Sequence, residues 1–281
     1  MATFTPLPSN PIRPANRRHA AWRRAALGAL AVAGLGLTSA RPPVAAAPRA
    51  VYRAPQARVA PVVDGRALDA CWAAAAWRPL NQRWVGPPVT PADFQGRYKV
   101  VWTPARLYVL AEITDDKLVD THPTLDKWWD DDCLEIFVDP DHSGGDHQYN
   151  YSAWAYHVAL DGHVVDMGPD RRGHLYDHHV RSRHTRRGHV TTWEASVALY
   201  DGTYNDARPA ASRPLALRAN QPVGFALAYC DNDGSPEREN FMGSEVVAGT
   251  DKNRGWIDAG IFGTVLPVPA AGKSYARQNR Q

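Results

Sequence analysis

The sequence predicts an all-β chain, folded as an antiparallel β-sandwich of jelly-roll or immunoglobulin-like layout with one short N-terminal helix. Three observations carry this. Apolar residues recur with a period of two: Phe94, Gly96, Tyr98, Val100 and Trp102, then Leu107, Val109, Ala111 and Ile113 after a Thr103–Arg106 turn. That is the signature of a hairpin with one buried face. Ten tryptophans and eleven tyrosines suit a sandwich core with aromatics left over for a binding face. Helical spacing is confined to Ala67–Trp77, where Leu68, Cys71, Trp72 and Ala75 share a face and Pro79 follows.

The chain opens on a stretch that is not fold. Arg17-Arg18 and Arg23-Arg24 form a basic region, Leu27–Leu37 is a short apolar run, and small residues follow up to Ala46. Residues 1–46 therefore read as an export signal, too short to span a bilayer stably. The Arg23-Arg24 context fits either a general secretory or a twin-arginine route. Localisation in the periplasm or outside the cell is expected. All six basic residues of that stretch are arginines with no acid among them, so their removal takes the formal charge from +3 to −3. Nucleic acid thereby loses its electrostatic footing as a partner. Three cysteines, Cys71, Cys133 and Cys230, permit at most one intramolecular disulfide, and spacing does not choose the pair.

The remaining ~235 residues suit one large β domain. Residues 47–58 read as a flexible Pro/Arg-rich lead-in, and Val59–Val63 as a short strand. Further strands are expected within Cys133–Val138, Tyr149–Leu160, His163–Asp166, Val190–Leu199, Val223–Cys230 and Phe262–Val268, with a tail at 269–281. The His- and Arg-rich stretch 168–189 reads as a solvated loop. No second apolar run is long enough to span a membrane, and a monomer is expected.

The chemistry concentrates in Lys127–Asp146, KWWDDDCLEIFVDPDHSGGD. Glu135 stands inside an apolar strand, and a buried charge needs either a partner or a polar ligand. Neighbouring indoles and carboxylates are what a sugar surface requires, since pyranose faces lie on aromatic rings and carboxylates accept hydroxyl protons. An acidic loop leading into a core strand is the plainer reading of the same residues.

Six motifs then fall in one order: Val63-Asp64-Gly65-x-x-Leu68-Asp69-x-x-Trp72; Val100-x-Trp102 with Leu107-Tyr108-Val109; Trp129-x-x-Asp132-x-Leu134-Glu135-Ile136-Phe137-Val138-Asp139; Trp193-Glu194-Ala195; Val223-Gly224-Phe225 with Asp231; and Trp256 with Phe262-Gly263. Together they make residues 59–268 resemble the family 9 carbohydrate-binding modules, β-sandwich domains often attached to xylanases. The resemblance implies a secreted, non-catalytic protein that clamps one saccharide unit of a polysaccharide or oligosaccharide, xylan among them, between Trp129 and Trp256. Glu135 and Asn253 would bond its hydroxyls. It also implies structural calcium, for which Asp139, Asp141, Ser143 and Asp146 offer oxygen donors on a tight turn, against the reading of a solvated turn. No organic cofactor is expected, and a glycoside hydrolase is the expected partner. Two positions depart from the pattern: Ala228 where a glutamine is expected, and His157 near the place of a basic residue.

Other constellations compete. Sandwiches of this shape also hold haem or metal in DOMON-like redox modules, for which Met167 or Met242 would be candidates, though no Cys-x-x-Cys-His is present. Asp132 and Glu135 as a carboxylate pair would suit glycosidase chemistry. His174, His178, His179, His184 and His189 could ligate zinc or copper, but the arginines interleaved with them favour a solvated basic stretch.

Overall fold

The computed structural model describes residues 51–270. The stretch 1–46, expected to be an export signal, the first residues of the lead-in and nearly all of the tail lie outside them. Fourteen strands are present among the described residues: β1 Val51–Pro55, β2 Arg78–Leu80, β3 Gln82–Val85, β4 Phe94–Thr103, β5 Arg106–Asp115, β6 Cys133–Asp139, β7 Trp154–Ala159, β8 Val164–Met167, β9 Gly173–Leu175, β10 Val180–Arg187, β11 Val190–Val197, β12 Val223–Asp231, β13 Asn240–Gly243 and β14 Gly263–Val268.

They form two sheets. The larger has nine strands, ordered β1-β14-β12-β6-β7-β8-β9, with β13 bonded to both β12 and β3. The smaller is β10-β11-β5-β4-β2. All pairs are antiparallel except β1 with β14, which run parallel. The period-two residues face inward as expected. Val100, Trp102, Val109, Ile113, Leu134, Ile136, Val138, Tyr156, Trp193 and Leu227 meet between the sheets, all at most 2% exposed. Each large side chain so buried contributes on the order of 2–3 kcal/mol.

Two smaller clusters lie on the outer faces. On the nine-stranded sheet, Trp84, Phe137, Phe241 and Phe262 pack over Cys133, Ala228 and Cys230. On the five-stranded sheet, Trp72 and Ala75 cover Val101, Tyr108 and Leu110.

Several expectations are corrected. The N-terminal helix is only a 3₁₀ turn, Ala70–Ala74, without a side-chain cap. A single turn gains too few hydrogen bonds to offset nucleation. Its Ala-rich residues are held instead by Trp72, whose Nε1 donates to Glu194 Oε1 (2.9 Å) and whose carbonyl accepts from Lys99 Nζ (2.7 Å). Residues 51–55 are not flexible lead-in but strand β1, in register with β14 from Val51–Thr264 to Pro55–Val268. Val59–Val63 forms no strand. The stretch 168–189 contains β9 and β10. In β10, Val180 and Ser182 point inward while Arg181, Arg183 and Arg187 are exposed, an alternation masked because even its inward set is partly polar. All three cysteines are free thiols, and β6–β12 register sets Cys133 opposite Cys230. Among the described residues, no helix is long and apolar enough to cross a membrane.

Candidate functional site

Trp129, Glu135, Asn253 and Trp256 come together around one pocket of about 240 Å³, with Trp128, His157, Asp166, Met167, Arg238 and Phe241 completing its walls. The cavity lies on the outer face of the nine-stranded sheet. Its volume falls below the roughly 300–1,000 Å³ of clefts that enclose drug-sized ligands, closer to a sugar unit than to a porphyrin. A larger open cleft of about 730 Å³ lies on the outer face of the other sheet, near Arg106, Arg181 and Arg183. Tyr108 is its single aromatic residue, and no predicted site residue reaches it.

The turn before β6 presents the first tryptophan. Lys127 holds a left-handed φ of +56°, uncommon for a side-chain-bearing residue, and its carbonyl accepts from Asp130 N (2.8 Å). Trp129 is half-buried, edge-on to Trp128 with ring centroids 4.8 Å apart. Trp128 is buried, and a Cβ at Gly173 would sit 2.5 Å from its ring, so β9 can close over it only as glycine.

The three aspartates after the tryptophans tie loops rather than line the pocket. Asp131 accepts from Thr121 N, His122 N and His122 Nδ1. Asp132 accepts from Val119 N and Asn232 N, and Asn232 Nδ2 donates to the Asp130 carbonyl. This removes Asp132 and Glu135 as a glycosidase pair, because the strand turns their side chains to different surroundings. Asp132, Asp115 and Asp231 instead bring carboxylate oxygens within 4.8 Å of one another where β5, β6 and β12 meet. Burial and then the Asp115 charge push Asp132 up to about 9 and Asp231 up to about 8.

Trp256 is 37% exposed, on a loop strapped to residues 145–149. Buried His147 is the strap: its backbone N–H donates to Ile257 O (2.8 Å) and its Nε2–H to Gly255 O (2.7 Å). Burial pushes the His147 pKa down, keeping the ring neutral. A Cβ at Gly255 would lie 2.6 Å from Phe137, so glycine lets this loop reach the sheet. Tyr149, with φ +58°, sets its ring edge-on to Trp256 at 6.3 Å.

Glu135 is 2% exposed and its Oε2 has no hydrogen-bond partner. His157, opposite it on β7, places Nε2 3.3 Å from that oxygen. Burial opposes charge on His157, but the Glu135 carboxylate outweighs it and the pKa is raised. Arg238 was not foreseen, since its loop Pro236-Glu237-Arg238-Glu239 carries no pattern. Its guanidinium lies over Phe241 at 4.1 Å, donates to Cys230 Sγ (3.1 Å) and donates to Asn253 Oδ1 (3.1 Å). With Oδ1 engaged, Asn253 is left with its amide N–H groups as donors. Asp166, also unforeseen, accepts from Ala155 N and Met167 N and is pushed by burial up to about 6.

The other candidate ligands do not converge. Asp139 Oδ2 accepts from Gly144 N, Asp141 from Ser143 N and Asp146 from Gln148 N, leaving Asp139 Oδ1 as the buried oxygen without a partner. Met242 is buried in the core, whereas Met167 lines the pocket. His179 is fully buried, bonded to Tyr156 and stacked on Tyr200, while His178 bonds Tyr204 and His174 bonds Asp170.

Fold and pocket together define a small-ligand-binding β-sandwich module. A family model described as "Carbohydrate family 9 binding domain-like" matches residues 63–268, and the chain belongs to that family. Its fold is also that of a family 9 carbohydrate-binding module from Caldicellulosiruptor kristjanssonii. The cellotriose complex of that module aligns with a TM-score of 0.59 and 15% identity, covering 82% of this chain and 100% of that one. Its glucose complex aligns at 0.57 and 16%, covering 80% and 99%. No curated protein matches the chain.

Proposed function

We propose that this protein is an exported, non-catalytic carbohydrate-binding module that holds one saccharide unit between Trp129 and Trp256. The observation that carries the reading is the convergence of Trp129, Glu135, Asn253 and Trp256, drawn from distant parts of the chain, on one largely apolar pocket. The indoles would take the sugar's C–H faces, Glu135 would accept a hydroxyl proton, and the Asn253 amide would donate to a ring or hydroxyl oxygen. Arg238 stands beside Asn253 and supplies the pocket's cation, compensating for His157 at the position where the family pattern has a basic residue. The solved relatives bind cellotriose and glucose, so β-glucan and xylan oligosaccharides are the first ligands to try. Action beside a glycoside hydrolase, in the periplasm or outside the cell, follows from the same reading.

The test is tryptophan fluorescence titrated with cello-, xylo- and galacto-oligosaccharides. A saturable change is expected, weakened more than about 30-fold (roughly 2 kcal/mol or more) in Trp129→Ala and in Trp256→Ala while both remain folded. Undiminished affinity in both variants would sink the clamp. Cell fractionation with N-terminal sequencing of the mature chain tests export.

A further inference from the structure

Beneath the proposed sugar pocket, the nine-stranded sheet turns four metal-ligating side chains to one face. Cys133 and Glu135 are two apart on β6 and therefore share a face. Cys230 on β12 is opposite Cys133, and His157 on β7 is opposite Glu135. Their exposures are 1%, 2%, 0% and 7%, so none is a surface residue that happens to lie nearby. One donor atom each from Glu135, His157 and Cys230 lies within 4.8 Å of the others, while Cys133 stands beside Cys230 outside that group. We propose that Glu135, His157 and Cys230 form a three-ligand site, its fourth position open to the pocket, for a zinc-type divalent ion at the pocket floor.

Three features favour an ion over a packed polar cluster. Glu135 Oε2 is buried without a hydrogen-bond partner, an arrangement that costs free energy unless something fills it. His157 Nδ1 is 3.1 Å from the Ala155 carbonyl, which only accepts, so Nδ1 carries a proton and Nε2 is the nitrogen turned toward Glu135, where an ion would take the place of its proton. That is the orientation that a metal-ligating histidine takes from a backbone carbonyl behind it. The 3.3 Å between Nε2 and Oε2 equals the edge of a tetrahedron about 3.3–3.5 Å long, which Zn–N and Zn–O bonds of roughly 2.0–2.2 Å would span.

Charge also balances. The Cys230 thiolate and the Glu135 carboxylate carry two negative charges against a divalent ion, and Arg238 Nη1 lies 3.1 Å from Cys230 Sγ. Binding would release the Cys230 thiol proton. A sulfur, an imidazole and a carboxylate select zinc or its spectroscopic substitute cobalt over calcium or magnesium. Among the described residues, no other group of ligands that converges in this way contains a sulfur or a histidine.

The inference shares Glu135 with the sugar reading but does not depend on it. The test is titration of the reduced chain with Co²⁺. Expected are one ion per chain, the intense visible absorption of tetrahedral cobalt with a thiolate charge-transfer band, and displacement by Zn²⁺. Cys230→Ser should abolish the thiolate band, His157→Ala should weaken binding at least about tenfold, and Cys71→Ser should change nothing. A rise in the melting temperature of the unsubstituted chain with Zn²⁺ gives a second readout if a variant fails to fold. Absence of stoichiometric uptake by the folded reduced protein would overturn the site. So would a Cys133–Cys230 disulfide in protein purified without reductant, or uptake that survives replacement of Cys230. Oligosaccharide titration of the same preparation separates the two readings: sugar bound without cobalt sinks only the metal site, and cobalt bound without sugar sinks only the clamp.

Discussion

Each sheet carries one fully buried glutamate in the middle of a strand, turned to its outer face, and the two have opposite fates. Glu194 on β11 is 1% exposed and fully engaged: Oε2 accepts from Asp64 N and Gly65 N, and Oε1 from Trp72 Nε1. It fastens the segment 57–77 over the five-stranded sheet. Glu135 on β6 is equally buried, yet one of its oxygens has no hydrogen bond and its carboxylate lines a pocket. The difference teaches that burial alone does not mark a binding residue. A carboxylate whose acceptor capacity is filled by its own chain is architecture, and one left short is available to a ligand.

Substitution breaks the comparison most sharply at Glu194. Glu194→Ala should leave two backbone N–H groups and an indole N–H without their acceptor, costing roughly 3–5 kcal/mol in urea denaturation. Sugar affinity of the folded fraction should stay unchanged. Glu135→Gln should do the reverse, lowering affinity about tenfold by titration while changing stability by less than about 1 kcal/mol. Equal stability losses in the two variants would erase the distinction.

A third carboxylate environment sharpens it further. Asp132 and Asp231 titrate near 9 and 8 in the folded chain because burial and the Asp115 charge disfavour their ionised forms. Unfolded aspartates lose their protons near 4. Between those limits the folded state holds more protons, so this cluster's contribution to stability is greatest below pH 4 and declines as pH rises toward 9. Melting temperature should therefore fall from pH 5 to pH 9, with a shallower slope in Asp231→Asn; an identical slope would remove the triad as the cause. The smallest effect is expected at His147. His147→Ala frees the Trp256 loop from Gly255 and should weaken saccharide binding a few-fold in the same fluorescence titration, with the core intact.

Strands β4, β5 and β11 were legible through the periodic set on their core face, and β12 as a continuous apolar run buried on both faces. β10 was not, since its inward set includes Ser182 and its outward set is arginine, which reads as loop. Trp129 and Glu135 were legible because they are adjacent to an interpretable strand, and the family pattern led to Asn253 and Trp256. His157, Asp166 and Arg238 enter the pocket through strand register and a patternless loop. The meeting of Cys133 with Cys230 follows from the pairing of β6 with β12 across almost a hundred residues, which no local window contains.

The parallel pairing of β1 with β14 joins the first described strand to the last. The Val268 carbonyl accepts from both Gln56 N and Trp102 Nε1, so the final residue of β14 also holds the segment after β1 against β4. The order of synthesis therefore cannot be the order of assembly. A chain that has not yet produced residue 268 has nowhere to seat its first strand, and that strand waits, unpaired, through the making of nearly the whole domain. Contacts this remote in sequence slow folding. A ribosome-bound chain cut short of β14 should remain sensitive to proteolysis at β1, and the larger sheet gains that edge only when β1 and β14 meet.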